Sequence, residues 1–178
     1  MQETEVKILE INKKKVEQKL RKLRAKKIFD GDTQTLFFDF EDRKIIKDKD
    51  VLRLRKEGNK SELTYKKVRV DQTAKIAEEY TVEVSNVDVM KKILECLGLA
   101  VTDSMEKHRV SYTINHTRFD IDRYVGNYGY IPEFMEIESE TVDLIHKYAG
   151  LLGFKDEDCL PWSTNELIQH YSFKKAKA

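Results

Sequence analysis

Apolar residues recur every three or four positions in four stretches of the chain, which predicts four amphipathic helices. Asn12 is the expected cap of the first helix, and Gly98 follows the second, where helices commonly end in glycine. Ser163 and Glu166 form a capping-box pattern at the start of the last helix. The predicted helices cover residues 12–27, 86–97, 140–152 and 163–171.

Between the helices, apolar and polar residues alternate, which is the pattern of a β-strand with one covered face. Turn-forming residues at 56–60 and 114–117 connect consecutive strands, so these pairs are expected to be antiparallel. About eight antiparallel strands are enough to close a barrel. The fold class is therefore predicted as α+β: an eight-stranded antiparallel β-barrel with helices packed outside. The predicted strands are residues 3–10, 34–41, 51–57, 61–69, 77–84, 107–114, 117–123 and 133–139.

Seven of these strands place charged or polar residues on one face and apolar residues on the other. For any single strand, an ordinary solvated face explains this pattern better than a site does. Taken together, however, the helices need the apolar faces, so the charged faces are predicted to line the interior. Buried charges must be paired or bound to a ligand. The pattern therefore indicates a tunnel that holds water, metal and polyphosphate.

The signs of the charges suggest a division of roles within this tunnel. Carboxylates are suited to Mg²⁺ or Mn²⁺, and the predicted metal ligands are Glu3, Glu5, Asp122, Glu136 and Glu138. Basic side chains are suited to phosphate oxygens, and the predicted triphosphate contacts are Lys7, Arg53, Arg55, Lys66, Lys107 and Arg109. Supporting roles are expected for Glu79, Glu83 and Asp120. No phosphate-binding glycine loop of the Walker type occurs in the sequence.

Composition narrows the class of protein further. Hydrophobic residues make up 40% and charged residues 37% of the 178 positions, so the chain is globular but charge-dense. The net charge of +1 provides no general attraction to nucleic acid or membrane, and neither is an expected partner. The two cysteines lack metal-ligand spacing and are typical of a reduced, cytoplasmic protein. No linker-like segment occurs, so residues 1–178 are predicted to form one domain, with its core at about 2–172 and a basic tail at 173–178.

The segment 13–27 is the most basic part of the chain, with nine Lys or Arg residues and one acid, Glu17. Such a segment could bind RNA or anionic lipid. A solvated face over a narrow apolar stripe is the favoured interpretation. The absence of an interleaved aromatic residue before Phe29 further weakens binding of single-stranded nucleic acid.

The charged motifs also occur in an order that resembles one known family. The sequence has an E-x-E-x-K start, an R-x-R strand, a lysine strand, an E-E-x-x-x-E strand, a K-x-R strand, and a late aspartate before E-x-E. Together they resemble the CYTH superfamily, the triphosphate tunnel metalloenzymes. The matching segments are Glu3–Lys7, Leu52–Arg55, Leu63–Lys66, Glu78–Glu83, Lys107–Arg109, Asp122 and Glu136–Glu138.

This resemblance implies an eight-stranded tunnel fold and a catalytic set drawn from Glu3, Glu5, Lys7, Arg53, Arg55, Lys66, Lys107 and Arg109. The stretches 119–124 and 131–138 are similar to the class IV adenylyl cyclase branch, which converts ATP to cyclic AMP and pyrophosphate. The loop Gly126–Tyr130 is longer than the family pattern and leaves the organic group of the substrate open. A homodimer is compatible with the resemblance.

Three functions remain open at this point. The first is adenylyl cyclase chemistry, and the second is hydrolysis of an organic or inorganic triphosphate with the same metal and phosphate contacts. The third is a non-catalytic module that binds nucleotide or polyphosphate. The full carboxylate set argues against the third, because a pure anion binder gains nothing from acids directed at its ligand.

Overall fold

The computed structural model describes residues 4–70 and 75–176. The strands of this part are β1 Thr4–Ile8, β2 Lys26–Phe40, β3 Val51–Glu57, β4 Lys60–Val70, β5 Lys75–Glu83, β6 Leu99–Ile114, β7 Thr117–Tyr124 and β8 Phe134–Ser139. The α-helices are α1 Lys13–Lys22, α2 Lys44–Lys47, α3 Val87–Cys96, α4 Val142–Leu151 and α5 Thr164–Ala176. The predicted α+β class with eight antiparallel strands and surrounding helices is confirmed.

The strands form one sheet in the order β1-β8-β7-β6-β2-β3-β4-β5. The chain divides into two compact units: among the described residues, the first contains 4–31 and 107–176, and the second contains 32–70 and 75–106. The long strands β2 and β6 contribute residues to both units. This division into units does not test the single domain predicted over residues 1–178, which stays a prediction.

In the first unit, α1 and α4 cover the apolar face of four strands. Val110, Phe119 and Ile137 project from β6, β7 and β8 into a core that also contains Leu20 of α1 and Ile145 of α4. Each of these side chains is at most 1% exposed. Burial of apolar side chains of this size stabilises a fold by about 1.5–3 kcal/mol each. The helices therefore occupy the face of the sheet opposite to the charged residues.

The second unit has the same arrangement around a smaller core. Leu52 and Leu54 of β3 pack with Phe38 of β2, Ile45 of α2 and Leu94 of α3. Arg53 and Arg55 alternate with these leucines along β3 and therefore point to the opposite face. The apolar positions of β3 therefore face helices, and its arginines do not.

Several element boundaries differ from the prediction. The helix predicted over 12–27 ends at Lys22, because Leu23 caps it and Arg24 adopts a left-handed conformation with φ of 62°. The chain then continues directly as β2 from Lys26. The strands predicted at 34–41 and 107–114 are the ends of β2 and β6, which start eight residues earlier in each case. The short helix α2 was not predicted, since four residues are too few to show a helical period.

Candidate functional site

The strand register of the first unit gathers the predicted charged residues on one face. Lys7 of β1 lies opposite Glu136 of β8, and Glu136 lies opposite Asp120 of β7. In the neighbouring row, Asp122 of β7 lies opposite Arg109 of β6. Directly opposed residues of antiparallel strands point to the same side of a sheet. These side chains therefore form one charged cluster on the face that α1 and α4 leave uncovered.

Arg109 lies at the centre of this cluster and is only 4% exposed. Its Nε donates to Asp122 Oδ1 at 2.7 Å, and one terminal nitrogen donates to Asp122 Oδ2 at 2.6 Å and to Glu136 Oε2 at 2.7 Å. The other terminal nitrogen lies 2.6 Å from Asp120 Oδ2. Burial alone would lower the pKa of Arg109, but these carboxylates raise it well above the ordinary value. The guanidinium is therefore held in its charged form by three acids.

Lys7 is the second buried cation of the cluster, with 2% of its surface exposed. Its Nζ lies 3.0 Å from Glu136 Oε1 and also contacts Glu5 Oε1. Burial lowers the pKa of Lys7, but the charges of Glu136 and Glu5 outweigh this effect and raise it above the ordinary value. For Glu136, burial acts to raise the pKa, and the neighbouring cations hold it well below the usual range. Lysine and glutamate are therefore both ionised at neutral pH.

Lys107 is the third predicted phosphate contact of the first unit. Its ammonium contacts Asp122 Oδ2, and Asp122 is fully buried. Asp122 therefore binds both Lys107 and Arg109, so three predicted phosphate contacts and three predicted metal ligands share one network. The predicted ligand Glu138 lies opposite Glu5 on one side and Arg118 on the other. Glu3 lies outside the described residues.

The second unit holds the remaining predicted basic residues on β3 and β4. Lys66 Nζ lies 2.7 Å from Glu79 Oε1, and a terminal nitrogen of Arg53 lies 3.7 Å from Glu79 Oε2. Burial raises the pKa of Glu79, but its hydrogen bond with Lys66 and nearby positive charges lower it below the ordinary value. Arg55 donates to Glu62 Oε2 at 3.3 Å. Each predicted phosphate contact of this unit is thus within ion-pair distance of a carboxylate.

Two members of these networks were not among the predicted site residues. Arg118 Nε donates to Asp120 Oδ1 at 2.9 Å, and Glu62 binds Arg55. Arg118 lies two residues before Asp120 on β7, and Glu62 lies two residues before Thr64 on β4, so both continue the alternation of their strands. The period of two could have identified them, and the prediction missed them because the family motifs do not include these positions. The predicted supporting residue Glu83 lies opposite Glu62 in the register of β4 and β5.

The donor chemistry of the first unit fits a hard divalent cation. Glu5 and Glu136 direct oxygens at the Lys7 ammonium, while Asp122 and Glu136 direct oxygens at the Arg109 guanidinium. Carboxylate oxygens are the ligands that Mg²⁺ and Mn²⁺ prefer. Among residues 4–70 and 75–176, no three His, Cys, Asp or Glu side chains are arranged to hold a metal ion. The described arrangement thus pairs these acids with cationic side chains, and their metal-ligand role stays a prediction.

Comparison with known proteins places the chain in a family. The CYTH domain model matches residues 1–146, so the chain belongs to the CYTH domain family. Members of this family bind triphosphate substrates, generally with a divalent metal, and are generally phosphoryl-transfer enzymes. No helix in the described part of the chain is long and apolar enough to cross a membrane.

Individual proteins are similar to the chain over most of its length. A Methanocaldococcus jannaschii protein, named provisionally as an adenylate cyclase, is 29% identical over 147 residues, which cover 83% of this chain and 82% of the relative. A Vibrio parahaemolyticus structure with the same provisional name has a TM-score of 0.79 at 16% identity and covers 95% of this chain and 98% of its own. A Hippeastrum structure, named provisionally as an adenylyl cyclase and described as having a dominant triphosphatase activity, has a TM-score of 0.65 at 14% identity and covers 96% of both chains. These two structural similarities show the fold.

Proposed function

We propose that this protein is a divalent-metal-dependent enzyme that acts on the triphosphate of a nucleotide, as class IV adenylyl cyclases do. The observation that carries the proposal is the network in which Arg109 and Lys7, both buried, share the carboxylate of Glu136. Such a network is costly to build for stability alone, because paired buried charges are on average no better than apolar residues. A ligand that uses both signs of charge accounts for it.

A metal–triphosphate complex provides both signs. Its phosphate oxygens are acceptors for Lys7, Lys107 and Arg109, and its metal ion is a partner for the carboxylates that these cations now hold. Each buried charge thereby exchanges one partner for another. A buried charge left without a partner would cost about 3–5 kcal/mol per broken pair. Free phosphate or free metal would satisfy only one half of the cluster. We therefore expect the metal ion and the triphosphate to bind together.

The roles follow from this exchange of partners. Glu5, Asp122, Glu136 and Glu138 are the proposed metal ligands of the described chain, together with Glu3 from the sequence motif. A bound metal would neutralise charge that develops on the phosphates. Phosphate contacts are proposed for the three cations of the first unit, and for Arg53, Arg55 and Lys66 of the second. Asp120 has a positioning role, because it binds both Arg109 and Arg118.

In the proposed cyclase reaction, the ribose 3′-oxygen forms a bond to the α-phosphorus of ATP, and the proton of the 3′-hydroxyl passes to solvent water. The bond between the α-phosphorus and the oxygen that bridges it to the β-phosphorus breaks, and that oxygen leaves as part of pyrophosphate. Support for this chemistry comes from the cyclase names of the relatives. Triphosphate hydrolysis is the second candidate, and it is supported by the Hippeastrum protein of the same fold, which is described as having a dominant triphosphatase activity. A non-catalytic binding module is disfavoured by the carboxylates within the network.

Product analysis distinguishes these reactions. Purified protein is incubated with ATP, thiamine triphosphate or inorganic tripolyphosphate, with Mg²⁺, with Mn²⁺ and with chelator. Cyclic AMP with pyrophosphate is the expected result, whereas orthophosphate as the main product would replace the cyclase proposal by hydrolysis. Binding of triphosphate without turnover of any substrate would contradict both enzymatic proposals.

The role of the acids has its own test. We expect Glu5→Gln to abolish metal-dependent turnover and to leave the fold intact, because 41% of the Glu5 side chain is exposed and Lys7 retains Glu136. The matched control is Glu140→Gln, an exposed acid that follows β8. Equal activity in both variants would contradict the proposed metal role of Glu5.

A further inference from the structure

Four aromatic side chains form a row in the first unit. Phe134 stacks on Tyr124 with ring centroids 5.8 Å apart and an interplanar angle of 24°. Tyr128 follows at 5.9 Å from Tyr124, and Tyr130 follows at 6.4 Å from Tyr128. Phe134 and Tyr124 are buried, with 1% and 5% exposure, whereas Tyr128 and Tyr130 are half-buried. The row therefore runs from the interior of the unit to rings that solvent can reach.

The inner end of the row touches the charged cluster. Tyr124 lies opposite Lys107 in the strand register, and the Lys107 ammonium lies 5.6 Å from the centroid of its ring. The same ammonium contacts Asp122, which lies opposite Phe134. The aromatic row thus begins beside a cation to which the proposed function assigns a phosphate contact.

The loop that carries the outer rings is well anchored. Gly126 adopts a φ of 60°, and Gly129 N donates to Gly126 O at 3.1 Å, which closes a tight turn. Ile131 N donates to Tyr128 O at 3.0 Å, and the Tyr130 and Ser172 hydroxyls lie 2.9 Å apart. A ring held in this way needs little ordering when a ligand binds, which favours affinity.

We infer that Tyr128, with Tyr130 beside it, forms the subsite for a planar heteroaromatic group attached to the triphosphate, such as a nucleobase. This inference rests on the proposed function, because it uses the same triphosphate position beside Lys107. Tyrosine rings stack on flat heteroaromatic groups with little dependence on their hydrogen-bonding edges. Tyr124 lies between Lys107 and Tyr128: its ring centroid is 5.6 Å from the Lys107 ammonium and 5.9 Å from the Tyr128 centroid. A sugar between the phosphates and the base can bridge this gap.

The test compares a ligand that has a base with one that has none. ATP and inorganic tripolyphosphate are titrated, with Mg²⁺ present, into wild type, Tyr128→Ala, Tyr128→Leu and Tyr128→Phe, and Kd and KM are measured for each. We expect the Ala and Leu variants to weaken ATP binding about tenfold, the typical effect of losing one stacking contact. Tripolyphosphate binding is expected to stay unchanged, and Tyr128→Phe is expected to match wild type because it keeps the ring.

The outcomes separate this inference from the proposed function. If the Ala and Leu variants lose affinity for ATP and for tripolyphosphate equally, or lose affinity for neither, the assignment of the subsite to Tyr128 is wrong. Turnover by the wild type would still support the proposed enzymatic function. If wild type binds neither ligand, both proposals are overturned. Leu is the decisive variant, since it keeps apolar volume in the loop and removes the aromatic face, while Tyr128→Phe shows the effect of losing the hydroxyl alone. A purely structural role for Tyr128 would change both ligands alike.

Discussion

Arg109 shows how one side chain can serve stability and binding together. Its guanidinium is buried and hydrogen-bonded to Asp122 and Glu136, and a third acid, Asp120, lies at ion-pair distance. The planar fork of arginine suits this geometry, because its three nitrogens offer donors to three carboxylates of β7 and β8 at once, whereas lysine presents all its donors from one atom. The same fork is suited to bidentate contacts with phosphate. The residue is therefore ready to bind a ligand while its current partners keep it charged.

Removal of Arg109 should be costly even without substrate. Arg109→Ala would leave the fully buried Asp122 and the buried Asp120 without their central partner. We expect the free energy of unfolding to fall by about 3–5 kcal/mol, the usual cost of breaking a buried ion pair. Urea denaturation followed by circular dichroism measures this change. The control is Arg123→Ala, an exposed arginine of β7, for which a change below about 0.5 kcal/mol is expected.

Equal stability of the two arginine variants would show that Arg109 makes no net contribution to folding. Arg109→Lys adds a further comparison. It keeps the charge but loses the fork, so it should recover only part of the stability and little of the triphosphate affinity.

At the scale of elements, alternation determines which face of each strand meets a helix. Leu52 and Leu54 contact the helices of the second unit, and Arg53 and Arg55 project to the other side. This much could be predicted from the sequence, because a period of two is a local signal. The length of β2 and β6 could not, since their first halves carry polar residues on both faces. Their extent depends on pairing with strands far away in the chain.

Register is the other feature that local patterns do not contain. The sequence predicted that Lys7, Asp122 and Glu136 would share a face, but not that Glu136 would join Lys7 to Arg109. Which residues oppose each other depends on how β1, β8 and β7 align, and a shift of one residue would reverse every side chain. The set of charged residues was therefore predictable, whereas the identity of each pair was not.

The pair of strands β4 and β5 offers a pH test with an internal control. The hydroxyl of Tyr65 donates to Asp50 Oδ2 at 2.7 Å, and this bond, together with burial, raises the pKa of Tyr65 to about 12. An unfolded tyrosine has a pKa of about 10. Because the folded pKa is raised, the stabilisation is complete below about pH 10 and is lost as the pH rises towards 12.

We therefore expect Tyr65→Phe to be less stable than wild type at pH 8, with a difference that narrows between about pH 10 and 12. Free energies of unfolding at a series of pH values test this. Tyr80 lies opposite Tyr65 in the register but is 62% exposed, so Tyr80→Phe is the matched control and should follow the wild-type curve. A constant difference between Tyr65→Phe and wild type would mean that the hydrogen bond does not alter ionisation of Tyr65.

At the scale of the whole molecule, a net charge of +1 conceals a high density of paired charges. In the first unit, the described cluster joins the cations Lys7, Lys107, Arg109 and Arg118 to the acids Glu5, Asp120, Asp122 and Glu136. The four positive and four negative charges cancel, so long-range attraction is a weak source of ligand affinity. Affinity must instead come from local exchange of partners, which requires a ligand that carries both a cation and an anion.

Thermal stability of the whole chain can measure this requirement directly. A ligand that binds only the folded state stabilises it by about 2.7 kcal/mol at a concentration one hundred times its Kd. We expect Mg²⁺ and tripolyphosphate together to raise Tm by more than the sum of their separate effects, because each relieves the charges that the other leaves unpaired. Glu5→Gln should keep the effect of tripolyphosphate alone and lose the additional effect of Mg²⁺, while Glu140→Gln behaves as wild type. Strictly additive shifts in wild type would contradict partner exchange, since separate sites for metal and phosphate would then explain all the binding.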